Sequence, residues 1–336
     1  MFARLILSLR RSIDWTVILL LSACPAFFTG CARPPADRQE TVALYQSPAP
    51  PSVPAIFSPA YLVKEPSQEF NKIGTPRARE APGKDPELFV DPGKPSIYYE
   101  TQDFLTEKGR YTNLIYRIHF QEVPLDWGKI NLTAGRNPGL LVIYTLDENA
   151  DLLLVTTVQT CGCYLAFLPT TALPAEAFPP DWPKEPQWIY GYTLPSRIGH
   201  PGSNTDDRIV FTLASETHRI VDVQVTGGDS RQAIPDRVDM DLMPMHALYS
   251  LPYRNGTVSF FETAGCRAGY VKNNTKILER LLMSWWAFDL YVGEDKAYSI
   301  HDKSGAVFYT SLKFWARQAS DMKNFPEFLS YWGWNL

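Results

Sequence analysis

The chain is predicted to fold as an α+β protein: an antiparallel β-rich domain of hairpins, with a sandwich-like sheet, followed by C-terminal helices packed on the sheet. Three observations predict this. Strand-like runs separated by short polar turns dominate from about residue 95, and a helical repeat arises only after residue 274. Hydrophobic residues make up 45% of the 336 and charged residues 20%, which is ample material for a core. Strands first and helices later is the order that lets helices cover one sheet face.

Each element has its own signal. "SIYYETQDFL" and "YTNLIYRIHF" flank "TEKGR", where Gly109 suits a positive-φ turn position, so the pair reads as a hairpin. "PGLLVIYTLD" and "DLLLVTTVQTCGCYLAF" flank "DENAD" as a second hairpin. The latter run exceeds an ordinary strand, and Gly162 is expected to bend it. "DRIVFTLAS" and "HRIVDVQV" form a third pair, and "GTVSFFETA" a short strand. The unbroken apolar run from Leu140 to Tyr144 predicts a strand covered on both faces.

In "NNTKILERLLMSWWAFDLYVGED", Asn274 or Thr275 can cap a helix, and Gly293 suits the left-handed position beyond its end. Leu278, Leu281, Leu282, Trp285 and Phe288 recur at helical spacing with Lys276, Glu279 and Arg280 opposite. This predicts that the Trp285-Trp286-Ala287 half is deeply buried. A second helix is expected in "FYTSLKFWARQASDM", and Pro326 opens a short turn before the aromatic tail.

The N-terminus reads as an export signal: Arg4, Arg10 and Arg11, then the apolar "WTVILLLSACPAFFTGC". It ends in Leu21-Ser22-Ala23-Cys24 and Phe28-Thr29-Gly30-Cys31. Both tetrapeptides resemble the bacterial lipoprotein signal, in which small residues admit cleavage just before a cysteine that takes a diacylglycerol. The resemblance implies a signal peptide over 1–23 (or 1–30), lipidation at Cys24 or Cys31, and a periplasm-facing place in the cell envelope. Its first partner is then the membrane, through that lipid. Cys24 has the better preceding residues, although Pro25 follows it. An uncleaved anchor is opposed by Pro25 and by an apolar run shorter than the ~20 residues of a membrane span. Plain secretion is a further alternative. The paired Arg10-Arg11 also suggests a twin-arginine export route, from which Leu9 and Asp14 depart.

Residues 24–94 are Pro-rich and are expected to form a semi-extended tether, docked in part over Tyr61 to Asp91. The globular domain is then 95–336. A net charge of −4 offers nucleic acid no concentrated basic surface, so no such partner is expected.

Candidate chemistry centres on Cys161 and Cys163. On one strand face they would lie about 6–7 Å apart; a bend at Gly162 would let them close a small strained disulfide. An oxidising compartment also admits a bridge from either to Cys266, worth up to ~4–5 kcal/mol for so long a loop. With Cys266 and a histidine such as His246, in "MPMH", they are candidate ligands for Cu or Zn. Otherwise they are idle core thiols. Glu100 and Glu262, each beside aromatic rings, are candidates for a two-carboxylate hydrolase of envelope polymers. Arg267, Lys272 and Lys276, just ahead of a helix start, are anion-binding candidates. No metalloprotease, serine-hydrolase, P-loop or dinucleotide motif is present. The reading that results is a lipid-anchored envelope protein, a non-catalytic binding or scaffolding module, with an envelope protein as a further candidate partner. The soft-metal protein and the hydrolase are its rivals.

Overall fold

The computed structural model describes residues 41–48, 52–83, 85–126, 128, 131–201, 207–234 and 236–336. Cys24 and Cys31, the expected lipid sites, lie outside them. From Thr41 the chain forms one compact unit, sheet-rich, with several antiparallel sheets and four helices among the described residues.

The chain enters through β1 (Val42–Gln46), a short helix α1 (Val53–Ile56), β2 (Ala60–Lys64), β3 (Ile73–Arg79) and β4 (Glu87–Asp91). The first hairpin follows as β5 (Ser96–Leu105) and β6 (Arg110–Phe120), then the small pair β7 (Glu122–Val123) and β8 (Gly135–Arg136). The second hairpin is β9 (Gly139–Leu146) and β10 (Leu152–Gln159), with β11 (Ala166–Pro169) folding back on β10. After β12 (Gln187–Ile189) and β13 (Tyr192–Leu194) comes the third, β14 (Arg208–Leu213) and β15 (Ile220–Thr226). Then α2 (Gly228–Gln232), β16 (Arg237–Asp239), β17 (Asp241–Pro244), β18 (Leu251–Tyr253) and β19 (Gly256–Val258) lead to α3 (Ile277–Ala287) and α4 (Phe325–Tyr331).

Two sheets dominate. One has the order β15-β14-β2-β1-β16; the other runs β11-β10-β9-β6-β3-β4, with β5 on β6 and β17 on β5. The sheets are not wholly antiparallel as expected: β1 with β16, β2 with β14 and β5 with β17 are parallel pairs. Each joins strands far apart in sequence, which hairpin reading cannot see. The period of two along β9 explains its unbroken apolar run. Leu141 and Ile143 enter the core that holds Phe325 and Phe328 of α4. Leu140, Val142 and Tyr144 enter the core shared with Tyr45, Tyr61 and Phe211 of the other sheet.

Within the Pro-rich stretch expected to be a partly docked tether, β1 to β4 belong to the compact unit that begins at Thr41. Most prolines of this stretch lie outside the strands, with Pro76 inside β3 opposite Val90 of β4. Pro59 and Pro66 stand outside β2, and Pro86 and Pro92 immediately flank β4. A residue with no amide donor is tolerated at such ends.

Three local expectations also change. Gly109 is not among the positive-φ glycines. The second helix reduces to one 3₁₀ turn, Phe314–Ala316. The helix α3 stops at Ala287 with Phe288 in the left-handed conformation (φ 51°), six residues before Gly293. Gly293 does adopt φ +77°, and a side chain there would run into Glu279.

His218, at the β14–β15 turn, stacks on Phe120 with centroids 3.8 Å apart and planes 5° from parallel. Its Nε2–H donates to the Phe70 carbonyl at 2.8 Å. Burial lowers its pKa to about 3, against the opposing pull of that hydrogen bond. The unfolded chain takes up this proton near pH ~6.5 while the folded one does not. Stability is therefore full above that pH and falls on acidification towards pH 3, by at most ~1.4 kcal/mol per unit. Denaturant midpoints measured at pH 7.5 and 4.5 should fall further apart in the native chain than in His218→Gln; identical differences would refute the assignment.

Candidate functional site

The bend predicted at Gly162 is a tight turn joining β10 to β11. Gly162 N–H donates to the Gln159 carbonyl at 2.8 Å, and Gln159 N–H to that of Cys163 at 2.9 Å. Gly162 has φ +93°, and a Cβ there would lie 2.2 Å from the Tyr309 carbonyl oxygen. Only glycine meets both demands without strain. The turn places both cysteines against a cavity of about 190 Å³, also lined by Glu279, Met283, Tyr164, Tyr190, Tyr309 and Leu312.

The two thiols differ. Cys161 is buried and accepts a hydrogen bond from the Cys163 backbone N–H at 3.3 Å. Cys163 is half-buried, with its thiol 3.4 Å from Glu279 Oε1. Desolvation alone would raise the Cys161 pKa. A hydrogen bond from the Cys163 thiol and the nearby Lys276 ammonium overcome it, and the net shift is downward. The Cys163 thiol moves up, through its contact with Cys161, through desolvation and through Glu279 beside it.

Beneath the turn is a cluster of charges drawn from four segments. Lys276 Nζ stands 3.0 Å from Asp295 Oδ2 with 1% and 0% of the side chains exposed, though without the alignment of a hydrogen bond. Asp295 also accepts from the Thr160 hydroxyl and, at 2.6 Å, from Asn274 Nδ2. Burial pulls the Lys276 pKa down, but Asp295, with Cys161 and Glu279, holds it well above the usual lysine value. Lys296 Nζ donates to the Cys161 and Glu294 carbonyls at 3.1 Å each and faces the Tyr309 ring at 4.8 Å. Its pKa is lowered by burial. Arg117, also fully buried, donates to the Lys296 carbonyl at 2.9 Å and to His119 Nε2 at 2.8 Å. Its pKa falls to about 10 through desolvation.

The sequence candidates fare unequally. Cys161 and Cys163 both line the cavity at the turn. The bridge to Cys266 does not form: all three described cysteines are free thiols, and Cys266 is exposed on a 3₁₀ turn, Gly265–Arg267. His246 is exposed with its ring against His301 at 5.8 Å. Among the described residues no three His, Cys, Asp or Glu are placed to hold a metal ion. Of the anion-binding candidates, Lys276 is paired with Asp295, Arg267 with Glu294, and Lys272 is half-buried.

Glu100 is buried and accepts from Ser299 Oγ and Ile300 N–H, both at 2.9 Å. Glu262 is half-buried, and neither glutamate lines a cavity described here. The residues missed are Glu279, which reads as the solvent side of a helix, and Glu294-Asp295-Lys296, which reads as a charged loop. All four are buried.

The reversal extends along α3. Ala287 and Glu279 are its buried residues, whereas Trp285 is 70% exposed and Trp286 60%. Ile277, Leu281 and Leu282 are exposed as well, and Phe288 meets Phe314 edge-on at 5.2 Å, with Phe314 in turn edge-on to the exposed Trp315. Glu279 points inward, and most of the large apolar side chains of the helix are bare. No helix among the described residues is long and apolar enough to cross a membrane. Comparison with family models, curated proteins and solved structures returns no match, so the functional reading rests on this chain's own geometry.

Proposed function

We propose that this chain is a lipid-anchored, non-catalytic binding module of the bacterial cell envelope, resting on the bilayer surface through α3 and the Phe314-Trp315 turn. The observation that carries the reading is the bare apolar face of α3, continuous with Phe314 and Trp315. Contiguous exposed apolar surface on this scale marks an interaction site. Tryptophan is the residue enriched where hydrocarbon meets headgroup. Charge agrees: Arg280 of the same helix and Lys313, next to Phe314, are exposed, while Glu279 is turned inward and Asp289 is tied to the Tyr309 hydroxyl at 2.6 Å. Cations without exposed acids suit an anionic leaflet.

Chain length agrees too. The compact unit begins at Thr41, ten residues beyond Cys31 and seventeen beyond Cys24. A chain of that length spans at most about 35 or 60 Å, which keeps the domain within reach of its own membrane. In this reading the two large sheets are a sandwich-like frame, with α4 packed on one and α3 left outward for docking. The hydrolase rival has no support from Glu100, whose oxygens are occupied by the 299–300 loop.

The acylated protein reconstituted into phosphatidylglycerol-containing vesicles with brominated acyl chains should show quenched tryptophan emission. Trp285→Leu/Trp286→Leu/Trp315→Leu should remove most of the quenched fraction. Unquenched emission in the native chain would reject the bilayer as occupant. So would cross-linking of α3 to α3 in a second copy, or to an envelope protein.

A further inference from the structure

We propose that Cys161 and Cys163 form a thiol–disulfide exchange site, in which Cys163 meets a disulfide substrate in the cavity and Cys161 resolves the mixed disulfide. This goes beyond the docking reading and does not depend on it. Three arrangements carry it. The turn at Gly162 sets the Cys163 backbone N–H 3.3 Å from the Cys161 sulfur and brings both cysteines to one cavity wall. The sulfurs open on a pocket of about 190 Å³ with apolar walls, Met283 and Leu312 among them. And Glu279 presents one carboxylate oxygen to the Cys163 thiol at 3.4 Å while the other, Oε2, is buried without a hydrogen-bond partner. A buried carboxylate left half-satisfied beside a thiol has a proton to receive.

The steps balance as follows. The Cys163 thiol passes its proton to Glu279, and its sulfur attacks one sulfur of the substrate R–S–S–R. The S–S bond breaks, Cys163–S–S–R forms, and the departing thiolate takes the proton back from Glu279 as the first R–SH. Cys161, its pKa lowered by hydrogen bonding to Cys163 and by Lys276, gives up its proton to water and attacks the Cys163 sulfur. The second R–S⁻ leaves and is protonated by water. The substrate disulfide is reduced to two thiols, and the protein dithiol is oxidised to a Cys161–Cys163 disulfide. A ring closed across one residue is strained and therefore readily reduced again, so the same route runs backwards with a substrate dithiol.

The substrate class is a disulfide whose accessible end fits a single-side-chain pocket, either a small dialkyl disulfide or an exposed peptide disulfide. The test uses the full-length protein in detergent, with bis(2-hydroxyethyl) disulfide in one arm and a short disulfide-cyclised peptide in the other. In at least one arm, intact mass after alkylation should show both Cys161 and Cys163 protected in one concerted step while Cys266 still alkylates. Cys161→Ser should accumulate the mixed disulfide on Cys163, Cys163→Ser should form none in the pocket, and Cys266→Ser should behave as the native chain. Glu279→Gln should slow the first step about tenfold or more at neutral pH and flatten its pH dependence. Retention of all three alkylatable thiols in both arms would overturn the proposal. So would a mixed disulfide that persists in the native chain, or zinc or Cu(I) held stoichiometrically by the pair in place of exchange.

Discussion

Replacement of Lys276 by methionine is expected to remove about 3–5 kcal/mol of stability, a large part of the ~5–15 kcal/mol typical of a whole fold. The magnitude comes from what is left behind. Asp295 is wholly buried, and its ionic partner is the ammonium 3.0 Å away. The hydrogen bonds from Thr160 and Asn274 remain in the variant, yet they were arranged to share one negative charge with a cation. Without it, the carboxylate must stay charged in a medium of low polarity or take up a proton. Chemical denaturation at pH 7.5 measures the loss. The double variant Lys276→Met/Asp295→Asn removes both charges and should recover at least half of it, since a buried pair replaced as a unit is often neutral. A loss below about 1 kcal/mol in the single variant would mean that water reaches the pair.

The second large effect is expected at Gly162. Gly162→Ala should cost about 3 kcal/mol, from positive-φ strain of ~1–3 kcal/mol and overpacking of similar size. The added Cβ would stand 2.2 Å from the Tyr309 carbonyl oxygen, and backbone cannot step aside as a side-chain tip does. Gly191 separates the two contributions. Its φ of +94° nearly equals the +93° of Gly162, but nothing lies within 4 Å of its Cβ position. Gly191→Ala should therefore show the strain alone, at about 1 kcal/mol. If the two variants melt alike, the close packing of the Tyr309 segment over the cysteine turn is wrong. The Gly162 variant should also expose Cys163 to faster alkylation, as the cavity wall is pushed away.

The hairpins were legible because their information is local. Alternation of side chains and a polar turn define β5–β6, β9–β10 and β14–β15 with no reference to the rest of the chain. The site was legible only at the cysteines, where two reactive residues flank a glycine. Glu279 and Asp295 were not, since a charged residue carries no mark of whether water or another charge will meet it. The error over Trp285 and Trp286 has the same root. Periodicity locates an apolar stripe on a helix, but whether the stripe faces a core or the outside depends on which face the rest of the fold covers.

Local order thus determined the β-rich class, the hairpins, the bend at Gly162 and the place of the C-terminal helix. Only the tertiary structure decided that Thr41 to Asp91 joins the sheets, that three strand pairs run parallel, and that α3 turns Glu279 inward and its tryptophans outward. The physical reason is distance along the chain. Turns and side-chain alternation are settled among neighbours, whereas the burial of Lys276 with Asp295, or of Cys163 with Glu279, depends on segments 19 and 116 residues apart meeting in one low-dielectric interior.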